Sequence, residues 1–136
     1  MDDRVKQELK KLVTHNIYAE AMGIELLELR QGYARGRMPY RLESANPYGS
    51  LHGGVLYSLA DIICGLAACT YGYYSSTIEG SMHYVRPALN TRYVICEAHE
   101  LRQGRQVSVY EARLTNDEGL LLDTAEFSFY MLEKEI

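Results

Sequence analysis

The 136-residue chain lacks tryptophan, and it contains only two phenylalanines, three prolines and three cysteines. Its longest apolar stretch is far shorter than the roughly 20 residues that a membrane-spanning helix needs. The odd number of cysteines and the missing CxxC spacing are typical of reduced, buried thiols rather than of a disulfide framework. The charged N-terminal stretch MDDRVKQELKKLV does not resemble a secretion signal. We therefore expect a cytoplasmic protein that does not enter a membrane.

Clusters of basic residues are also missing. The formal net charge is -4, and the lysines and arginines are dispersed along the chain, so we expect no nucleic-acid partner. Neither a Walker loop nor a GxSxG elbow is found, which leaves nucleotide hydrolysis and a serine triad without support. The four histidines lack metal-ligand spacing. The sequence therefore predicts no metal and no bound cofactor.

Regular patterns of apolar residues predict the order of the structural elements. An amphipathic helix is predicted over about 4–20 and ends near Gly23, and two short strands flank the turn at Gln31 and Gly32. A long central helix is predicted over about 51–69. Four further strands are predicted at about 77–85, 91–102, 105–115 and 120–132. No linker or repeat divides the chain, so we expect one α+β domain over 1–136, with about six mostly antiparallel strands around the central helix.

The predicted central helix is apolar nearly all round and yet contains one carboxylate, Asp61. No cationic residue shares its face at the three- and four-residue spacings of a helix. An unpaired charge in an apolar environment costs several kcal/mol. Asp61 therefore either reaches solvent or a strand arginine, or it is a catalytic carboxylate that acts as general base or nucleophile.

The predicted start of this helix contains His52, Gly53 and Gly54. A first turn without side chains exposes backbone N–H groups at the positive end of the helix dipole, where they could polarise a carbonyl. The alternative is that the glycines allow close packing. Gly53 and Asp61 are eight residues apart, or about 12 Å along one helix. If both act on one substrate, Asp61 must come from a second subunit, so we expect a homodimer as the minimal active unit.

Two motifs in this region match a known pattern. The stretch N-P-x-G-x-x-H-G-G, which begins at Asn46, and the following L-A-D-x-x-x-G-x-A around Asp61 resemble the hotdog-fold acyl-CoA thioesterases of the phenylacetate-degradation type. The resemblance covers most of the chain and includes the stretch YVRPA at 84–88. It implies a six-stranded antiparallel sheet wrapped around a long helix, dimers joined edge to edge, and a tetramer made of two such dimers.

The resemblance also implies residue roles. It implies that the Gly53 N–H polarises the thioester carbonyl, that His52 supports this end of the helix, and that Asn46 helps to place the carbonyl or water. Asp61 would be the general base or nucleophile, and Thr77 would orient the attacking water. We interpret the chain as an enzyme that hydrolyses a small or medium acyl-CoA, aromatic ones included, to the free acid and coenzyme A.

Further candidates are the substrate-binding residues Gly54, Tyr57, Ser58, Arg86 and Arg105. Arginine matches phosphate oxygens bidentately and would hold the coenzyme A nucleotide, although arginines are also common on solvated surfaces. The tyrosines of the stretch TYGYYSS predict an aromatic acyl pocket, with ordinary packing as the alternative. Two other functions stay open: a hotdog dehydratase or hydratase, and an acyl-CoA-binding module without turnover.

Overall fold

A computed structural model describes residues 1–136 of the chain. It begins with two helices, α1 (Asp3–Thr14) and α2 (Ile17–Met22). The prediction of one continuous helix is wrong, because the Asn16 side chain accepts the N–H groups of Tyr18 and Ala19 and caps a new helix. Helix α2 ends at Gly23, whose left-handed φ of 75° is typical of a C-terminal cap.

Six strands form one sheet with the order β1-β2-β4-β5-β6-β3. Every neighbouring pair is antiparallel. The strands are β1 (Glu25–Arg30), β2 (Tyr33–Pro39), β3 (Tyr73–Tyr84), β4 (Tyr93–Arg102), β5 (Val107–Thr115) and β6 (Leu121–Glu135). A 3-10 turn (Leu42–Ser44) and the long helix α3 (Gly53–Cys69) lie between β2 and β3 in the chain. The α+β class and the antiparallel sheet around one long helix are therefore confirmed.

Helix α3 packs across one face of the sheet and contacts all six strands. It supplies nine buried residues to the core, among them Leu59 and Ile63 with no exposed surface. Gly36 of β2 permits this close packing, because a Cβ atom there would overlap the Ile63 side chain. All three cysteines are unpaired and buried. None of the helices combines the length and the apolar character that crossing a bilayer requires.

Strand β3 is an edge strand that pairs with β6 on one side only. Its ladder is interrupted by a bulge at Ile78, which is the extra residue after Thr77. The bulge resets the alternation of side chains, so Thr77 and Tyr84 both face α3 although they are an odd number of residues apart. The strand therefore reaches α3 at two places, Asp61 and Gly53.

Candidate active site

The first turn of α3 leaves two backbone donors free. The N–H groups of Gly53 and Gly54 have no hydrogen-bond acceptor within the chain. His52 precedes them in an extended conformation, its exposed side chain makes no capping bond, and its backbone N–H donates to the Ser44 carbonyl at 3.0 Å. Unsatisfied N–H groups at the positive end of a helix dipole can hold a negatively charged oxygen.

Tyr84 covers the first of these glycines. Its hydroxyl donates to the Gly53 carbonyl at 2.8 Å, and a Cβ atom on Gly53 would lie 3.0 Å from the Tyr84 ring. A Cβ atom on Gly54 would meet nothing within 4 Å. Gly53 therefore lets the Tyr84 ring pack closely against the helix start, while Gly54 leaves open space beside the free N–H groups. Tyr84 belongs to the YVRPA stretch, and its contact with Gly53 is not visible from sequence spacing.

Asn46 organises the loop in front of α3. Its Oδ1 accepts the N–H groups of Tyr48 and Ser50 at 2.9 and 3.2 Å, and its Nδ2 donates to the Ser50 Oγ at 2.8 Å. The same residue lines a cavity of about 310 Å³ together with Gly53 and Arg86. Asn46 thus holds the loop beside the free N–H groups, and its contact with a substrate or water stays a prediction.

Asp61 lies two turns further along α3 and is half-buried. The Thr77 hydroxyl donates to its Oδ1 at 2.7 Å, and no salt bridge involves Asp61. Burial raises the pKa of the Asp61 carboxyl, and the hydrogen bond from Thr77 opposes that rise. Asp61 is therefore a carboxylate with partial access to solvent, one hydroxyl partner and no cation.

A second cavity, of about 230 Å³, opens beside Asp61. Its lining is mainly apolar and comes from α1, the α1–α2 junction, α3 and the sheet: Leu12, Asn16, Asp61, Ile62, Gly65, Leu66, Cys69, Ser75, Thr77 and Phe129. It shares no lining residue with the cavity at Gly53. Because about 12 Å of helix separates Gly53 from Asp61, one chain does not bring both groups to one substrate atom.

Two further candidates, Tyr57 and Ser58, make contacts within the chain. The Tyr57 ring is half-buried and packs edge-on against Phe127, with 5.0 Å between the ring centroids. The Ser58 Oγ shares a hydrogen bond with the Tyr18 hydroxyl at 2.7 Å and donates to the Gly54 carbonyl at 3.0 Å. Neither residue lines either cavity, so their contact with a substrate stays a prediction.

The two candidate arginines lie at opposite ends of the sheet. Arg86 lines the Gly53 cavity and donates to a backbone carbonyl of β6 at 2.8 Å. Arg105 lies in the β4–β5 hairpin and lines a groove with Tyr130, which pairs with Ser76 of β3. Ser76 is eight residues from Tyr84, or about 26 Å along the strand. One chain therefore does not bring the two guanidinium groups together.

The tyrosines that follow α3 do not line the cavity beside Asp61. Tyr71 and Tyr73 line grooves near the C-terminal end of β6, and the Lys134 Nζ lies 5.0 Å from the Tyr74 ring centroid. The only aromatic ring in the Asp61 cavity belongs to Phe129. Within one chain, the aromatic pocket predicted from these tyrosines does not form beside the carboxylate.

A second carboxylate, Asp123, was missed by the sequence analysis. It has no exposed surface, neither of its carboxylate oxygens has a hydrogen-bond partner, and it pairs across the sheet with Tyr84. Burial raises its pKa to about 7. The sequence pattern could have predicted that Asp123 is buried, because it shares the two-residue alternation of the buried residues Ala125 and Phe127.

An antiparallel sheet wrapped around one long apolar helix is the arrangement of the hotdog class of proteins. A family model described as the thioesterase superfamily matches residues 48–122, which is more than half of the chain. The chain therefore belongs to the thioesterase superfamily.

Individual relatives agree with this assignment. Acyl-coenzyme A thioesterase PaaI of Escherichia coli K12 is 25% identical over 118 residues, which are 87% of this chain and 84% of that protein. The structure of the E. coli PaaI protein from the phenylacetic acid degradation operon covers 98% of this chain and 96% of its own, with a TM-score of 0.92 and 22% identity. A hypothetical thioesterase protein with coenzyme A from Streptococcus pneumoniae TIGR4 is 27% identical, covers 83% and 88%, and has a TM-score of 0.77. The fold and the resemblance to the PaaI type are confirmed.

Proposed function

We propose that this protein is an acyl-CoA thioesterase that hydrolyses a small or medium acyl-CoA to the free acid and coenzyme A. The observation that carries the proposal is the pair of Asp61 and Thr77: a half-buried carboxylate without a cation, hydrogen-bonded by a hydroxyl, at the mouth of an apolar cavity. The name of the E. coli relative and the coenzyme A in the pneumococcal structure support the choice of substrate.

Asp61 is proposed as the general base that activates water. Burial raises its pKa, which makes the carboxylate a stronger base near neutral pH. The Thr77 hydroxyl donates a hydrogen bond to Asp61 without transferring its proton, so its oxygen lone pairs can accept a hydrogen bond from the same water. The water oxygen then attacks the thioester carbonyl carbon, the C–S bond breaks, and the proton held by Asp61 passes to the departing thiolate. Direct attack by Asp61 is the alternative.

The first turn of α3 is proposed to hold the carbonyl oxygen as it becomes negative. The free N–H groups of Gly53 and Gly54 support this role, because such donors bind a developing oxyanion most strongly where water is excluded. His52 supports the helix start through its bonded backbone, and Asn46 keeps the preceding loop in position.

Each active site is proposed to combine two subunits. The separation of the two cavities and the free edge of β3 support this arrangement. If two copies of β3 pair antiparallel about the midpoint between Thr77 and Tyr84, each Thr77 lies opposite Tyr84 of the other copy, on the same face. Gly53 of one subunit then approaches Asp61 of the other. A tetramer would consist of two such dimers.

The same pairing of two β3 strands would also bring the two candidate arginines of different subunits together. Arg86 follows one end of β3, and Arg105 lies beside the other end, so an antiparallel pair brings Arg86 of one subunit toward Arg105 of the next. Their guanidinium groups could then contact the phosphates of one coenzyme A nucleotide.

The test is thiol release from a panel of acyl-CoA substrates. Asp61→Asn keeps the shape of the side chain but cannot take a proton, so kcat should fall by about a hundredfold or more while the fold survives. Asp3→Asn, at an exposed position on α1, serves as the matched control and should keep full activity. Unchanged turnover by Asp61→Asn would contradict the proposal. Hydration of an enoyl-CoA without thiol release, or binding without turnover, would favour one of the other functions.

A further inference from the structure

Tyr84 connects the edge strand β3 to the first turn of α3. Its hydroxyl donates to the Gly53 carbonyl oxygen at 2.8 Å, and both residues line the cavity that also contains Asn46. The Tyr84 side chain is 52% exposed, and a hydrogen bond that replaces one to water contributes only about 1 kcal/mol to folding. The main effect of this bond is therefore local, because it holds the Gly53 carbonyl in one direction.

The Gly53 carbonyl and the Gly54 N–H belong to one peptide group. This group is planar and trans, so its C=O and N–H point in opposite directions, and a bond that holds the oxygen also holds the N–H. Because neither glycine has a Cβ atom, the peptide between them can rotate more freely than its neighbours. The Gly54 N–H has no acceptor within the chain. The Tyr84 hydroxyl therefore orients one of the two donors proposed to hold the thioester oxygen.

A second hydroxyl in the same turn makes a similar bond with a different consequence. The Ser58 hydroxyl donates to the Gly54 carbonyl at 3.0 Å. The N–H of that peptide belongs to Val55 and already donates to the His52 carbonyl at 3.1 Å. Of the two bonds, only that of Tyr84 acts on a peptide whose N–H is free.

The Tyr84 hydroxyl also makes that free N–H a better donor. A hydrogen bond to a carbonyl oxygen polarises the peptide and leaves its N–H more positive. Burial raises the pKa of the Tyr84 hydroxyl above its ordinary value of 10.0, so at neutral pH the hydroxyl keeps its proton and continues to donate. Orientation and polarisation therefore act together on the Gly54 N–H.

We propose that Tyr84 is a positioning residue for thioester hydrolysis: its hydroxyl holds the Gly53–Gly54 peptide so that the Gly54 N–H points at the thioester oxygen. This inference rests on the proposed function and adds to it a residue that acts through the backbone of α3. In the proposed pairing of two β3 strands, Tyr84 also lies opposite Thr77 of the other subunit. Tyr84 then stands where the two halves of the site meet.

The test is Tyr84→Phe, which keeps the ring and removes the hydroxyl, assayed by thiol release from acetyl-CoA, hexanoyl-CoA and benzoyl-CoA. Loss of an oxyanion donor costs about a hundredfold or more, and loss of a group that only orients the donor costs less. We expect kcat to fall by about fivefold to tenfold and KM to change by less than about twofold. The loss should be the same for all three substrates, because the Gly54 N–H contacts the carbonyl oxygen that they share. The acid limb of the kcat/KM profile should not move, because Asp61 is unaffected.

Tyr33→Phe is the matched control. It also removes a tyrosine hydroxyl, which donates to the Glu97 carboxylate at 2.7 Å, and Tyr33 lines neither the Gly53 cavity nor the Asp61 cavity. Its kcat should equal that of the wild type. A measurement without turnover uses Asp61→Asn with bound acetyl-CoA labelled with ¹³C at the carbonyl. Adding Tyr84→Phe should move the carbonyl stretching band toward its position in free acetyl-CoA.

The outcomes separate the role of Tyr84 from the function. An unchanged kcat and an unmoved infrared band in Tyr84→Phe overturn the positioning role, while the thioesterase function stands as long as turnover depends on Asp61. A loss confined to one acyl group, a rise in KM alone, or an equal loss in Tyr33→Phe also overturns it, because each of these points to substrate contact or general stability. If the wild-type protein hydrolyses no acyl-CoA, the proposed function and the role of Tyr84 fail together.

Discussion

Asp61 on α3 and Asp123 on β6 are two carboxylates in apolar surroundings, and they differ in what can reach them. Asp61 is half-buried, accepts a hydrogen bond from Thr77 and lines a cavity. Asp123 has no exposed surface, and neither of its oxygens has a partner. Burial raises the pKa of both carboxyls. A raised pKa therefore does not by itself identify the reactive group, because a base also needs access to water and substrate.

The position of each residue in the fold explains the difference. Asp61 faces the edge strand β3, and Gly65 leaves a gap beside it. Asp123 lies inside the sheet, between Leu114 of β5 and Tyr84 of β3. Asp123 is shielded from substrate on both sides, so we expect it to lower stability at high pH rather than to take part in the reaction.

The largest expected effect is on the pH dependence of the free energy of unfolding, and it comes from Asp123. Its pKa of about 7 in the folded chain compares with an ordinary value of 3.8, so the native state keeps a proton that the unfolded chain loses as the pH rises above 4. The free energy of unfolding should therefore decrease between about pH 4 and pH 7, by up to about 4 kcal/mol, and stay low above that window. Asp123→Asn should reduce this slope. Asp61 contributes in the same direction, so part of the slope should remain.

Denaturant unfolding of the wild type and the variant across this pH range measures the slope. Asp117→Asn is the control, because its bonds with Arg92 lower the pKa of Asp117, and that contribution is lost as the pH falls. Removing Asp117 should not flatten the decrease between pH 4 and pH 7. Equal slopes for wild type and Asp123→Asn would mean that burial does not control the Asp123 proton.

A smaller effect, on turnover, is expected at Thr77. Its hydrogen bond to Asp61 has no counterpart at Asp123. Thr77→Val keeps the shape of the side chain and removes the hydroxyl, so kcat should fall by about tenfold. Because that bond lowers the pKa of Asp61, its loss should also move the acid limb of the kcat/KM profile to higher pH. The pH–rate profile measures both changes. Thr124→Val, on β6, is the control, and an unchanged profile in Thr77→Val would separate Thr77 from the reaction.

Local patterns predicted most of the fold. The two-residue and helical periodicities identified α3 and all six strands. The alternation of apolar and polar residues in a strand and the apolar composition of a buried helix are both visible in the sequence. The split between α1 and α2 was missed because apolar spacing continues across it, while the capping bonds of Asn16 depend on local geometry. The predicted strand ends differ from the observed ones by a few residues, because strand pairing continues wherever a neighbouring strand is present.

The candidate site was predictable only where it depends on local chemistry. The bare first turn and the lone carboxylate of one helix made Gly53 and Asp61 candidates, and the resemblance to the hotdog thioesterases implied their roles, which stay predictions. The bulge at Ile78, which turns Thr77 toward Asp61, arises from the pairing of β3 with β6, and sequence spacing does not predict that pairing. The tyrosines after α3 do not line the Asp61 cavity of their own chain for the same reason: their direction depends on the path of β3 along the sheet.

The claim that Asp61 and Gly53 of different subunits form one site can be tested by mixing two inactive variants. Asp61→Ala removes the base. Gly53→Pro removes the Gly53 N–H, and the extended conformation of His52 suits a following proline at the first position of a helix. The added ring would meet the Tyr84 side chain, which is 52% exposed and can move aside.

The most direct measurement is thiol release from a mixture of these two proteins. It is made after mass spectrometry has demonstrated that the subunits exchange. In a mixed dimer one site collects both defects and the other is wild type, so random pairing should restore about a quarter of wild-type activity. Each variant alone, taken through the same exchange procedure, should stay inactive. Recovery to that level is the predicted result, and complete inactivity of a verified mixed dimer would contradict a site shared between subunits.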